Sequence, residues 1–397
     1  PAQTVTTEQF LDIMRLGRAG LRRTLQDIRR DDGLYHSYNI LEVDRDRQTM
    51  DVSRLPEMLE GQVAILGSGI LDPSAAADLL ESLRSSRLFS RRHQSYVLYP
   101  DRNLPAFLDT NQMEAGQVES IPALARMVER GEEGVLVADP AAGFRFHAAL
   151  VNGYALGEKL DALAEDPEWR ELVTGDRERI EALYEEVFQH RSFTGRSGTM
   201  FGYEGLGSVY WHMVSKLMLA VQDVACTARL GAADAETCGR LEDAYYAIQG
   251  GLGFRKTPGS YGAFPAEPYS HSPAHAGAKQ PGLTGQVKEG ILCRFGELGV
   301  GYRQGVIVFR PTLLRAAEFA PVDGGAPELR FTFAGTPVVY RRRCDLAEPA
   351  VIVHLADGSV RKAAGGTLDP ASSEEVIRRT GRILRIEVAI PDACLLI

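Results

Sequence analysis

The sequence predicts a mainly α-helical protein with a small C-terminal β-sandwich, and three features of its 397 residues predict it. Over roughly the first 300 residues, apolar positions recur at helical spacing between Gly/Pro-rich breaks. One segment, 206–228, is apolar almost all round, as a helix enclosed by other helices must be. From about residue 305 the apolar period changes from 3.6 to 2, in short β-branched runs. The expected division is a helical domain at 1–303 and a β-sandwich domain at 304–397.

Taken in order, Thr6 and Gln9 have capping-box spacing, and Phe10, Ile13, Met14, Leu21, Leu25 and Ile28 continue a helical period. A second helix is expected after Pro56, with Met58, Leu59, Val63 and Leu66 apolar. Asp72-Pro73 opens a third, because Asp caps and Pro suits a first turn. Helices are further expected near 114–130, 146–165 and 167–190; in the last, Ile180, Leu183, Tyr184, Val187 and Phe188 form one apolar stripe. After the enclosed segment, Leu241, Ala244, Tyr245 and Ile248 mark a surface-type helix that ends at Gly250-Gly251, and 284–299 gives another. The runs GVIVFRPTLL, LRFTFAGTPVVYRRR, AVIVHLADGSVRK and RILRIEVAIP then read as strands, with Asp-Gly as a turn.

Composition narrows the function. The net charge of −9 and the lack of a Lys/Arg block argue against nucleic acid or an anionic membrane as partner. No stretch is apolar enough to span a bilayer, and the first residues lack a secretory pattern, so a cytoplasmic location is expected. Five scattered cysteines without Cys-x-x-Cys spacing suggest reduced, buried thiols rather than a disulfide framework or a zinc site. No phosphate loop, dinucleotide fingerprint or nucleophile elbow is present, and neither a cofactor nor a metal is expected.

Chemistry concentrates in a few stretches. In GTMFGYEGLGSVYWH the acid Glu204 precedes the enclosed helix, where a carboxylate favours the helix N-terminus by a few tenths to about 1 kcal/mol. Capping does not account for the surrounding glycines or for Tyr203, Tyr210 and Trp211. Backbone that a ligand can approach, aromatic faces and an acid are what a sugar cleft needs. Ser208, His212 and Lys216 recur four apart and continue a polar stripe along the same helix.

The Pro-rich stretch 256–290 carries Tyr261, Glu267, Tyr269, His271, His275 and Lys279 and reads as a ligand-contacting loop or a rigid belt. His271 and His275 have metal-ligand spacing, but Pro273 denies them the helix that spacing requires. Asp109, Glu114 and Gln117 crowd a helix start. Tyr35, His36 and Asn39 follow the first helix. Gly-Gln-Val recurs at Gln62, Gln117 and Gln286, a placement that would set three glutamines at equivalent depths around a ring of helices.

Alternating inner and outer helices, an aromatic Gly-rich acid loop and a C-terminal β-sandwich together resemble the six-hairpin (α/α)6-barrel glycosidase superfamily. The layout is similar to that of the cellobiose-phosphorylase and maltose-phosphorylase families. RSGTMFGYEGLGSVYWHMVSKL and YGAFPAEPYSHSPAHAGAKQPGLTGQVKEG resemble stretches of a bacterial group of large glycosidase-like proteins. The resemblance implies an (α/α)6-type helical toroid, complete or partial, since about nine long helices are read where a closed barrel has twelve. It also implies cleavage of a glycosidic bond. The Trp-Asn-Asp-like stretch that carries the acid of the cellobiose-phosphorylase group has no match here, so no catalytic residue is carried over from it.

The expectation is therefore a glycoside hydrolase acting on an oligosaccharide, with Glu204 as general acid and Asp109, ahead of Glu267, as second carboxylate. Tyr35, His36, Asn39, Gln62, Glu114, Gln117, Tyr203, Trp211, His212, Tyr261, Tyr269, His271, His275 and Gln286 are the expected sugar contacts. One alternative is a phosphorylase, with Arg255, Lys256, His271 or Lys279 holding inorganic phosphate. Others are a non-catalytic glycan-binding or scaffolding module and the C-terminal part of a larger glycosidase.

Overall fold

The computed structural model describes residues 5–44, 48–101, 109–140, 143–189, 193–194, 200–201, 206–252, 256–258, 269–272, 280–281 and 285–396. About 48% of the structure is helical, in eleven α-helices among the described residues, with a small mixed sheet near the C-terminus. The chain divides into two compact units, one made of residues 1–101 and 207–397, the other of 102–206. The expected boundary at 303/304 falls inside the first unit.

In the first unit, α1 (Thr7–Asp27) begins with the expected capping box, Thr6 Oγ1 accepting from Gln9 N at 3.2 Å and Gln9 Oε1 accepting from Thr6 N at 3.0 Å. None of its residues is buried. A hairpin that period reading missed follows, β1 (Asn39–Asp44) and β2 (Thr49–Arg54). It places Leu41, Val43, Met50 and Val52 on one exposed face.

Next come α2 (Leu59–Gly67), then α3 (Pro73–Ser85), capped by Asp72 at 2.8 Å from Ala75 N. After the short strands β3 (Phe89–Ser90) and β4 (Ser95–Tyr96) the chain leaves for the second unit, and it returns at Gly207. There β9 (Val209–Tyr210) leads straight into α8 (Trp211–Leu230). This is the segment expected to be enclosed, and it packs against α2, α3, α9 (Ala235–Gly251) and α10 (Gly285–Leu298). Glu297 on α10 ties that helix to α9, accepting from Tyr245 Oη at 2.7 Å and Gln249 Nε2 at 2.6 Å, and it also accepts from Arg294 Nη1 on its own helix at 2.7 Å.

The strands described from residue 300 onward form one five-stranded sheet and one separate two-stranded hairpin rather than two comparable sheets. β14 (Glu328–Phe333), β15 (Thr336–Arg343), β16 (Ala350–Leu355), β17 (Val360–Ala364) and β18 (Ile383–Pro391) make one five-stranded sheet in the order β14-β15-β18-β16-β17. β15 and β18 are parallel, and the other pairs are antiparallel. The layer that a sandwich would supply comes instead from a hairpin, β12 (Val300–Arg303) and β13 (Val306–Phe309), and from α11 (Pro370–Ile377). Val300, Ile307, Phe309 and Val376 share the core of the sheet with Tyr340, Val353, Ile386 and Val388. Because β15 and β18 are parallel, a crossover must join them, and α11 belongs to that crossover.

The second unit has its own core. α4 (Ala115–Glu119) and α5 (Pro122–Arg130) replace the single helix expected over 114–130, since Pro122 starts a new one. β5 (Leu136–Asp139) pairs with β6 (Gly143–Phe146), so the helix expected from 146 begins only at α6 (Gly153–Glu165). The long α7 (Pro167–Phe188) follows, with Ile180, Leu183 and Tyr184 buried as its stripe implied. Ile121 cannot cap α5, and the buried carboxylate of Asp176 on α7 does so, accepting from Ala123 N at 2.9 Å. The strands β7 (Phe193–Thr194) and β8 (Met200–Phe201) form a small pair beyond α7.

Candidate functional site

The most chemically loaded place among the described residues lies at the start of α8. Gly207 sits at φ +61°, and a Cβ there would lie 2.9 Å from the Asp101 carboxylate, so only glycine fits. Its N–H donates to Tyr99 O at 3.1 Å, and Ser208 O accepts from Leu98 N at 2.9 Å. On the far side β9 pairs with β10 (Tyr269–Ser272), His271 standing opposite Tyr210. Backbone pairing on both sides thus fixes where α8 starts.

Trp211 is fully buried at that start, and His212 beside it is half-buried. The His212 ring lies between two partners, Tyr210 Oη at 3.3 Å from Nδ1 and Glu289 Oε1 at 3.4 Å from Nε2. Glu289 comes from α10 and is 3% exposed. Its Oε1 also meets Lys288 Nζ at 3.3 Å, whereas its Oε2 is buried with no hydrogen-bond partner among the described residues. One helical turn earlier, on the same face of α10, Gln286 Nε2 is likewise buried without a partner among the described residues. Leaving such groups unpaired costs about 1–3 kcal/mol each. An orphaned acceptor and an orphaned donor one turn apart are both satisfied by one kind of group, a hydroxyl, which donates to Oε2 and accepts from Nε2.

A second polar cluster flanks Trp211. Lys256 Nζ stands 5.2 Å from its ring centroid and donates to His93 O. Burial holds the Lys256 ammonium down to about 8. It also lowers His93, with Lys256 and Arg92 adding repulsion, and His93 Nδ1 lies 2.9 Å from Ser90 Oγ.

The expected site residues separate into several groups. Glu204, Glu267, Tyr203, Tyr261 and His275 lie outside the described residues, as do Arg255 and Lys279. Tyr269 and His271 are placed in β10 by their backbone. His212 and Trp211 stand at the start of α8, and Gln286 lies on α10 one turn before the Glu289 that meets His212.

Gln62 and Tyr35 meet each other in the interior. Gln62 is fully buried, its Oε1 accepting from Tyr35 N at 2.9 Å and its Nε2 donating to Tyr35 O at 2.8 Å and Met58 O at 3.0 Å. His36 Nδ1 lies 3.3 Å from Leu55 O, and Asn39 is exposed on β1.

Asp109, Glu114 and Gln117 belong to the second unit. Asp109 is exposed there, and Gln117 Oε1 accepts from Glu114 N at 3.0 Å as half of a capping box. The three Gly-Gln-Val glutamines therefore do not occupy equivalent positions: Gln62 clamps a loop, Gln117 caps a helix, and Gln286 lies on α10 one turn before Glu289. A tripeptide fixes neither burial nor partner.

Sequence reasoning missed Glu289 and His93. For Glu289 a signal existed, since Gln286 and Glu289 are three apart at the start of an amphipathic helix and must share its face. Among the described residues, no group of three His, Cys, Asp or Glu side chains could hold a metal ion. No helix there is long and apolar enough to cross a membrane.

Residues 104–191 match the family described as GH149 phosphorylase insertion domain 2. The matched stretch lies within the second unit, which interrupts the sequence of the first between residues 101 and 207. No curated protein matches the chain. The similarity ties this part of the chain to enzymes related to glycoside phosphorylases.

Proposed function

We propose that the chain acts as a glycoside phosphorylase, or as part of one, and cleaves a glycosidic bond of an oligosaccharide with inorganic phosphate. The observation that carries this reading is the similarity of residues 104–191 to an insertion domain of a phosphorylase. It favours phosphorolysis over the hydrolysis expected from the sequence. The start of α8 supports it from chemistry: a buried donor and acceptor that a sugar hydroxyl would satisfy, beside His212 and with Lys256 close to Trp211.

In this reading Glu204 is the general acid that protonates the leaving oxygen, and phosphate takes the part of the second carboxylate. Asp109 and Glu267 are then not needed as base or nucleophile. Lys256 and His271, with Arg255 and Lys279, are the proposed phosphate contacts, and the first unit's helices are proposed to belong to an (α/α)6-type toroid.

The test is turnover of α- and β-linked gluco- and manno-oligosaccharides with and without phosphate. Release of a sugar 1-phosphate only when phosphate is present, about 100-fold slower in Glu204→Gln, is the expected result. Release of free sugar at the same rate without phosphate would restore hydrolysis, and equal activity of Glu204→Gln would reduce Glu204 to a helix cap. Glu289→Gln should raise KM more than it lowers kcat, since Glu289 is proposed to bind a hydroxyl rather than move a proton.

A further inference from the structure

A second site is built where the β12–β13 hairpin faces the C-terminal half of α8. Alternation along the hairpin sends Val300, Ile307 and Phe309 into the sheet's core. It turns Gly301, Arg303, Val306, Val308 and Arg310 the other way. Across from them Gln222, Cys226 and Leu230 recur four apart and form one stripe of α8. Between the two lies a cleft of about 350 Å³, within the range of small-molecule sites. Its floor is glycine by necessity. A Cβ at Gly299, which sits at φ +66°, would overlap the backbone of Arg310, and one at Gly296 would overlap the amide of Gln222.

Two arginines and one aspartate, all solvent-exposed, line this cleft. In the same unit Arg294 pairs with Glu297 and Glu318, Arg341 with Glu387, and Arg342 with Asp392. Arg303 and Arg310 line the cleft without an acidic partner among the described residues, and Arg310 makes only a long bond, 3.4 Å, to Gly365 O. By strand rise their Cα atoms are roughly 13 Å apart, a span that two arginine side chains reaching toward each other can close. Asp223 is the carboxylate of the lining. It lies close enough to Cys226 to act on the thiol, as Arg303 does, yet it does not pair with Arg303. Thr312 and Thr367 add hydroxyls.

We propose that this cleft binds a hydroxylated small molecule carrying one anionic group, of the sugar-phosphate class. Two guanidiniums without an acidic partner among the described residues offer charge-assisted hydrogen bonds to an anionic group, which a neutral sugar lacks. A carboxylate facing the same space calls for ligand hydroxyls, which inorganic phosphate alone does not supply in the same way. The site is separate from the one at the start of α8, since His212 and Gln222 are ten residues, or about 15 Å, apart along the helix. Its existence does not depend on the phosphorylase reading.

The test is calorimetric titration of the whole chain with glucose 1-phosphate, glucose and inorganic phosphate, comparing wild type with Arg303→Gln/Arg310→Gln and with Asp223→Asn. Glucose 1-phosphate should bind wild type, and the double variant should lose one equivalent of binding. Asp223→Asn should weaken the sugar phosphate about 10-fold without changing any binding of phosphate. Because both arginines are exposed and neither is ion-paired among the described residues, the thermal midpoint of the double variant should stay at the wild-type value, so that loss of binding is not loss of fold. The proposal is overturned if wild type binds no sugar phosphate, if the double variant binds it with unchanged stoichiometry, or if inorganic phosphate binds as tightly as the sugar phosphate. Turnover plays no part in this readout, so failure of the phosphorylase reading leaves the outcome interpretable.

Discussion

Two side chains show how much a single residue decides here. Gln62 looked like a ligand contact, yet it satisfies both backbone groups of Tyr35 and the carbonyl of Met58 from a fully buried position. Gln62→Leu fills the same space but leaves these groups unpaired. It should cost about 3 kcal/mol in urea unfolding, and a loss under 1 kcal/mol would mean that water replaces the amide. Lys256 gives a pH signature. Its folded-state value is about 8 against an ordinary 10.5, so between these pH values the unfolded chain holds a proton that the folded chain has released. Stability from this group therefore rises with pH from about 8 to 10.5, and below 8 the penalty of burying the charge is fully present. The wild-type minus Lys256→Met difference in unfolding free energy, measured at several pH values from 7 to 10.5, should change in that window. A flat difference would mean that Lys256 is solvated.

At the scale of elements, the helices were largely legible because burial of one face imposes a 3.6 period and because caps mark their starts: Thr6 and Gln9 begin α1, and Asp72 begins α3. What was missed involves pairing. The β1–β2 hairpin keeps its apolar residues on an exposed face, so no core selects its pattern, and α11 is too short to show a period. The helix α1 has the right pattern with no partner, as Phe10, Ile13, Met14 and Leu21 are all exposed. Met14→Gln/Leu21→Gln should accordingly leave the thermal midpoint of the isolated chain within about 1 °C, as expected for surface changes; a clear drop would reveal packing on α1. The glycine that closes α10 behaves oppositely. Gly299→Ala must adopt a left-handed conformation and displace the Arg310 backbone, so it should cost more than about 2 kcal/mol, read as a fall in thermal midpoint.

At the scale of the whole molecule, each unit holds one of the two tryptophans, Trp169 in the core of residues 102–206 and Trp211 at the start of α8. Trp211→Phe leaves fluorescence reporting on the second unit, and Trp169→Phe leaves it reporting on the first. Because the two cores share no residues, urea transitions followed by these probes should have different midpoints. Coincident transitions in both variants would show one cooperative body. The two-unit division escaped the sequence because 102–206 has the same helical period and composition as its flanks. Only contacts distant in sequence distinguish an inserted unit from a continuous run of helices.

Local patterning was enough to show the mainly helical class, the enclosed character of α8, the change to strands after residue 300 and the polar stretches where chemistry gathers. All of these follow from local periodicity, capping and composition. Tertiary structure decided that the strands form one mixed sheet covered by a hairpin and a helix. It also decided that Gln62 is a clamp, that Glu289 meets His212 with its second oxygen unpaired among the described residues, and that Arg303 and Arg310 line a cleft without an acidic partner among those residues. These depend on which groups from distant parts of the chain come within about 3 to 4 Å of one another, and hydrogen bonds and ion pairs, unlike hydrophobic faces, leave no period in the sequence.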